Sequence, residues 1–93
     1  MAGDEPFQTL DFTSTFLDEF SSKGFTRADR RALLRALTTL DTTERQPSLR
    51  VHQLGGPLRD LCSASASDTL RIVFIRTPDE RKVILGCSKH DDR

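Results

Sequence analysis

"TTERQPS", residues 42–48, is the stretch on which the fold turns, because the spacing of apolar residues changes across it. Before it, Leu33, Ala36, Leu37 and Leu40 recur on one face of a 3.6-residue repeat. After it the repeat is two: Leu49 and Val51 alternate with Arg50, His52 and Leu54, and Leu70, Ile72 and Phe74 alternate with Arg71, Val73 and Ile75. "KVILGCSKH", residues 82–90, follows as a further strand. Helices therefore precede the connector and strands follow it.

Towards the N-terminus, Thr26 with Asp29 three residues on reads as a capping box, with Asp in place of the usual Glu. Arg27, Arg30, Arg31, Arg35 and Thr38 populate the other sides of that helix, as a solvated face does. Phe12, Phe16, Leu17 and Phe20 mark a shorter helix, begun by Thr13 or Ser14 and ended at Gly24 in the left-handed conformation. "FQTLDF", residues 7–12, has the strand period. Towards the C-terminus, Gly55, Gly56 and Pro57 turn the chain, and residues 77–81 join the last two strands as a hairpin. "DLCSASASD", residues 60–68, is weakly patterned and polar, and is read as a strand on its position alone.

The expected order is β-α-α-β-β-β, an α+β fold with two helices packed on one face of a mainly antiparallel twisted sheet and the other face left open. Residues 1–6 are expected to be a flexible tail and residues 7–93 a single domain, of a size that supports one core.

Charge is balanced overall but unevenly spread. Residues 1–44 carry five Lys/Arg against eight Asp/Glu, and residues 45–93 carry nine against six, so the halves differ as minus three and plus three. The second half would draw a polyanion, although so small a surplus does not by itself indicate a nucleic-acid-binding protein. With neither Trp nor Tyr, an aromatic platform for stacked bases is disfavoured. No apolar run approaches the roughly 20 residues that span a bilayer. "MAGDEPFQTL" is acidic where a signal peptide is basic and then apolar, so the chain is expected to be cytoplasmic, with Cys62 and Cys87 reduced.

Three polar residues stand out. Arg71 lies inside the most apolar strand, on the face opposite Leu70, Ile72 and Phe74. A cross-strand ion pair with Asp68 or Asp60 would explain it; a phosphate clamp would explain it equally, since a guanidinium fork can hold two phosphate oxygens at any working pH. His52 and His90 end strands, where histidine commonly serves as a hydrogen-bonded surface residue. Beside Arg71, however, two imidazoles would suffice for metal-independent RNA cleavage, in which the ribose 2′-hydroxyl attacks its neighbouring phosphorus and the 5′-oxygen leaves. A zinc site built from His52, Cys62, Cys87 and His90 is the rival, weakened because Cys62 has no neighbouring partner and no CxxC or HxxxH occurs. "SASAS" is no nucleophile elbow, and no glycine loop resembles a nucleotide site.

Taken in order, "H-x-L-x-G-x-L-x-x-L", "L-R-I-V-F", "V-I-L" and "S-K-H" resemble the RelE/ParE superfamily of type II toxin–antitoxin toxins, with the closest likeness to YafQ-like mRNA interferases. The likeness runs from about Phe7 to His90, and order and spacing carry it rather than any single motif. It implies that His52, Asp68 and His90 handle protons and Arg71 holds the scissile phosphate, with Arg50, Arg59 and Lys89 as further RNA contacts. It also implies mRNA in the ribosomal A site as substrate, a cognate antitoxin as partner, and neither metal, small-molecule cofactor nor membrane. Two departures stand against the pattern. Relatives usually place ionisable side chains on the strand that reads "LCSASAS" here, and an aromatic where this chain has Thr69. Two other activities fit the same resemblance: a ParE-like toxin that inhibits DNA gyrase by binding, and a toxin-fold protein that only binds an antitoxin.

Overall fold

The computed structural model describes residues 6–43 and 45–90; most of the expected tail, residues 1–5, lies outside the described residues. The elements are β1 (Leu10–Phe12), α1 (Ser14–Phe20), α2 (Arg27–Thr42), β2 (His52–Gln53), β3 (Cys62–Ser65), β4 (Leu70–Arg76) and β5 (Lys82–Lys89). They form one five-stranded sheet in the order β1-β5-β4-β3-β2, in which only the β1–β5 pair is parallel, and four strands follow the helices, one more than the expected β-α-α-β-β-β order contains. Both edge strands are short, which limits the backbone left open to pairing with another chain. No helix among the described residues is long and apolar enough to cross a membrane.

Leu33, Leu37 and Leu40 of α2 pack with Leu70, Ile72 and Phe74 of β4 and Ile84 of β5 in one fully buried core. The alternating residues of β4, Arg71, Val73 and Ile75, are only half-buried and face away from it. Phe7, Phe12, Phe16 and Phe20 extend the core as a ladder of rings 5.5, 5.3 and 5.8 Å apart, which is why the short helix α1 holds its place. The capping box forms as expected: the Thr26 hydroxyl accepts from the Asp29 N–H at 3.0 Å, and the Asp29 carboxylate accepts from the Thr26 N–H at 2.9 Å.

Three local expectations are corrected. Gly24 does not stop α1, because the cap is Ser21 in a right-handed conformation and Gly24 has no positive φ. Arg30 does the work instead, donating to the Phe20 and Ser22 carbonyls at 2.8 and 2.6 Å, so this arginine belongs to the helix junction and not to the solvated face. The strand read over residues 49–54 shrinks to His52–Gln53, since Pro47–Leu49 forms a 3-10 turn and Arg50 follows at φ 47°. Conversely, the weakly patterned "CSAS" segment is a strand buried on both faces.

β5 carries an extra residue. Val73 pairs with Gly86 but Phe74 pairs with Ile84, so Leu85 is a bulge that keeps Cys87 and Ile84 both on the core side. Beyond β1, the free edge of β5 is covered by α1, whose Glu19 accepts from the Cys87 N–H at 2.9 Å. A Cβ at Gly86 would lie 2.6 Å from that carboxylate.

Candidate functional site

Register decides which polar residues share the open face, because directly opposed residues of paired strands point the same way. His52 opposes Ser63, which opposes Val73; Ser65 opposes Arg71, which opposes Ser88. Past the end of β5, the His90 N–H donates to the Thr69 carbonyl at 2.6 Å, so the ladder runs on and His90 falls on the same face as Arg71. His52, Arg71 and His90 therefore lie on one side of the sheet, opposite the core.

They are not evenly close. With strands about 4.8 Å apart and a rise of about 3.4 Å per residue, the backbones of Arg71 and His90 are roughly 8 Å apart, those of Arg71 and His52 roughly 12 Å, and those of His52 and His90 on the order of 20 Å. Arg71 and His90 thus share a corner with Asp68, which is exposed in the tight turn leading into β4. His52 sits apart, at the sheet's edge.

The expected ion pair of Arg71 is not formed. Its Nη1 donates to the Ser67 carbonyl at 2.8 Å and to the Leu70 carbonyl at 3.1 Å, and among the described residues no carboxylate pairs with it. Two carbonyl oxygens orient the guanidinium without neutralising it, which leaves the rest of the fork available to an anion. His52 is exposed, and its Nδ1 lies 3.0 Å from the Arg50 carbonyl. A carbonyl only accepts, so this contact is a hydrogen bond when Nδ1 carries a hydrogen.

The remaining expected RNA contacts scatter. Lys89 opposes Leu70, on the core side of the ladder, and its Nζ is tied to Asp29 at 2.9 Å. That hydrogen bond and those from Thr26 hold the Asp29 carboxyl below its ordinary range, against the smaller opposing effect of burial. Arg59 is exposed at the tip of the β2–β3 connection, where its carbonyl accepts from the Gln53 side chain. Gly56 adopts φ 61° in that tip, so of the two glycines it is the one whose backbone requires the residue. Arg50 faces a cavity together with Arg45 and Arg76, two residues that no local pattern singles out.

The rival metal set is divided. Cys62 opposes Phe74 and Cys87 opposes Ile72, both on the core face, whereas His52 and His90 are on the other. By register the two cysteines are roughly 12 Å apart, beyond the about 7 Å that a disulfide tolerates, and both are buried free thiols. Burial, with the Glu19 carboxylate adding to it, pushes the Cys87 thiol up to about 11, so it stays protonated at neutral pH.

β3 is where this chain parts from its expected pattern. By register Ser63 and Ser65 share the side of Val73 and Arg71, yet they are 6% and 9% exposed, and Ser65 also lines a hollow with Ala32, Arg35 and Thr39 of α2.

This arrangement of two helices on a five-stranded mixed sheet defines the RelE/ParE-like toxin fold. No family model matches the chain, and no curated protein matches it in sequence. Solved structures do match in fold. A YoeB/ParE toxin from Agrobacterium tumefaciens superposes with a TM-score of 0.70 at 16% identity, covering 90% of this chain and 100% of that one. YafQ in the Escherichia coli DinJ–YafQ toxin–antitoxin complex gives 0.71 at 13% identity over 91% and 94%. The RelBE2 toxin–antitoxin complex from Mycobacterium tuberculosis gives 0.60 at 20% identity over 88% and 96%.

Proposed function

We propose that this chain is the toxin of a type II toxin–antitoxin pair and that it cleaves mRNA in the ribosomal A site without a metal. One observation carries the reading: on the open face of a toxin fold, Arg71 and His90 lie side by side next to Asp68, with part of the Arg71 fork uncommitted. In the reaction Arg71 holds the non-bridging oxygens of the scissile phosphate. The 2′-hydroxyl oxygen bonds to phosphorus as its proton passes to Asp68 or His90, and the 5′-oxygen departs with a proton from the other. The product is a 2′,3′-cyclic phosphate. His52 lies too far from His90 to serve the same phosphorus, so its exposed ring contacts the RNA strand further along. A cognate antitoxin, such as those present in the neighbouring complexes, would silence the protein by covering this face.

Single-turnover cleavage of mRNA on ribosomes tests the assignment. His90→Ala is expected to lower the rate roughly 10²–10⁴-fold, the ordinary range for an acid–base group, and Arg71→Lys to be comparably damaging because a point charge cannot replace a two-pronged contact. His52→Ala should cost far less. Equal losses at both histidines, or none at His90, would remove the assignment.

A second reading has its own support. Ser63 and Ser65 occupy the strand where the resembling toxins carry ionisable groups, and serine is a poor substitute for an acid or base. The chain would then act by binding, on DNA gyrase or on an antitoxin alone. Growth arrest that survives His90→Ala and Arg71→Ala together, with no new mRNA 5′ ends, would select it.

A further inference from the structure

Arg71 and His90 share a neighbour on the open face, and it is Ser88. The His90 N–H bond to the Thr69 carbonyl makes Thr69 and His90 a hydrogen-bonded pair, and such pairs alternate, so Arg71 and Ser88 are one too. Pairs of this kind hold their Cα atoms about 5.5 Å apart, and residues two along a strand are about 6.8 Å apart. Thr69, Arg71, Ser88 and His90 thus mark the corners of a small rectangle on the uncovered side of the sheet. The Thr69 hydroxyl meets that of Ser67 at 3.5 Å, whereas Ser88 is exposed and, among the described residues, its hydroxyl has no hydrogen-bond partner. The bulge at Leu85 puts Ser88 there: had the Phe74–Ile84 register continued, Arg71 would oppose Cys87 and Ser88 would face the core. Two residues back along β5, the space over Gly86 is taken by the Glu19 carboxylate, which accepts from the Cys87 N–H at 2.9 Å and lies 2.6 Å from where a Cβ would be. Its charge turns an anion away from Gly86, so Ser88 and His90 are the part of β5 that an anion beside Arg71 meets.

We propose that Ser88 binds the scissile phosphate, its hydroxyl donating to a non-bridging oxygen of the phosphate that Arg71 holds. The inference rests on the cleavage reading for the identity of that phosphate and adds a contact which that reading lacks. No proton leaves Ser88. A neutral hydroxyl keeps its donor at any working pH, so it positions the phosphate and stabilises the charge that grows on the non-bridging oxygens as the 2′-hydroxyl attacks. Serine suits the place because its side chain is short, which leaves room for a phosphate between Arg71 and His90.

The test compares Ser88→Thr with Ser88→Val, two residues branched at Cβ that both favour strands and differ in the hydroxyl. In single-turnover cleavage of mRNA on ribosomes, Ser88→Thr is expected within about threefold of wild type and Ser88→Val roughly tenfold slower, the worth of one hydrogen bond to a charged group. Replacing a non-bridging oxygen by sulfur, a poor acceptor, adds a readout that a merely structural role would not move. One phosphorothioate diastereomer should slow wild type and Ser88→Thr, and should slow Ser88→Val several-fold less. Equal rates for the two variants, or the same sulfur effect in both, with His90→Ala still slow, would overturn the Ser88 contact and leave the cleavage reading standing. If wild type does not cleave, the cleavage reading falls, and the contact is decided by the affinity of the full chain for a short single-stranded RNA with 2′-O-methyl riboses. Binding about threefold weaker for Ser88→Val than for Ser88→Thr keeps Ser88 as a phosphate ligand, and equal affinities remove it.

Discussion

Phe74 and Ile75 are adjacent in one strand and live in different worlds. Phe74 is fully buried against α2 and the core, whereas Ile75 is half-buried on a face that no helix covers. The same contrast separates all of Leu70, Ile72 and Phe74 from Arg71, Val73 and Ile75. It teaches that one side of this sheet is bound by packing, and that the other is free to carry charge and change with function.

Substitutions can sharpen that contrast, beginning with the largest. Phe74→Ala should cost about 3–5 kcal/mol in denaturant unfolding, while Ile75→Ala should cost about 1 kcal/mol. Similar losses at the two positions would mean that the open face is packed after all.

Next comes Asp41, a carboxylate buried at the end of α2. Its Oδ1 and Oδ2 accept from the Gln8 N–H at 3.0 Å each, and its Oδ1 also accepts from the Thr9 N–H and hydroxyl at 2.7 and 2.9 Å. Burial pushes its pKa up, but the hydrogen bonds from Gln8 and Thr9, with help from the Lys82 charge, outweigh burial and leave it below the ordinary value of 3.8. A depressed folded-state pKa contributes stability that is complete above the unfolded value and is lost as pH falls through the folded one. Asp41→Ala should cost about 1–3 kcal/mol at neutral pH, and wild type and variant should converge in stability as pH drops below about 4. A gap that persists unchanged at pH 2 would show that the carboxylate's charge is not what holds β1 to α2.

Thr26→Ala should cost about 1 kcal/mol by opening the capping box at the start of α2. Smallest of all, His52→Ala and His90→Ala should leave stability within about 0.5 kcal/mol of wild type, since both are exposed on the uncovered side. A larger loss at either histidine would make it a structural residue.

Long elements were readable because their period was strong. α2 shows its buried stripe and its cap in the sequence, and β4 shows its alternation without interruption. Short elements were not. β2 was overestimated because alternation in "LRVHQL" is a pattern that a 3-10 turn and a left-handed arginine can also carry. β3 is a strand as expected, within residues 60–68, but its faces are illegible for the opposite reason: Cys62, Ser63, Ala64 and Ser65 are all small, so both faces can be buried and no apolar contrast records which is which. The end of α1 went astray because its carbonyls are satisfied by Arg30, ten residues beyond Phe20, and a local reading assigns such a task to the nearest glycine.

The candidate site divides in the same way. Residue types and order suffice to single out Arg71, Asp68, His52 and His90. Their distances depend on strand order: β3 and β4 both lie between β2 and β5, and this intervening width separates His52 from His90 while the β4–β5 pairing puts His90 beside Arg71. Lys89 and Arg76 fall on the covered side by parity, one tied to Asp29 and the other in the arginine-lined cavity.

By itself, the amino-acid order determined the helix-then-strand arrangement, the composition of the core and the identity of the groups that can meet an anion, because periodicity and side-chain chemistry are properties of neighbours along the chain. Only the tertiary structure decided which of those groups meet, since that depends on strand pairing and on a single bulged residue in β5, and no local stretch of sequence contains either.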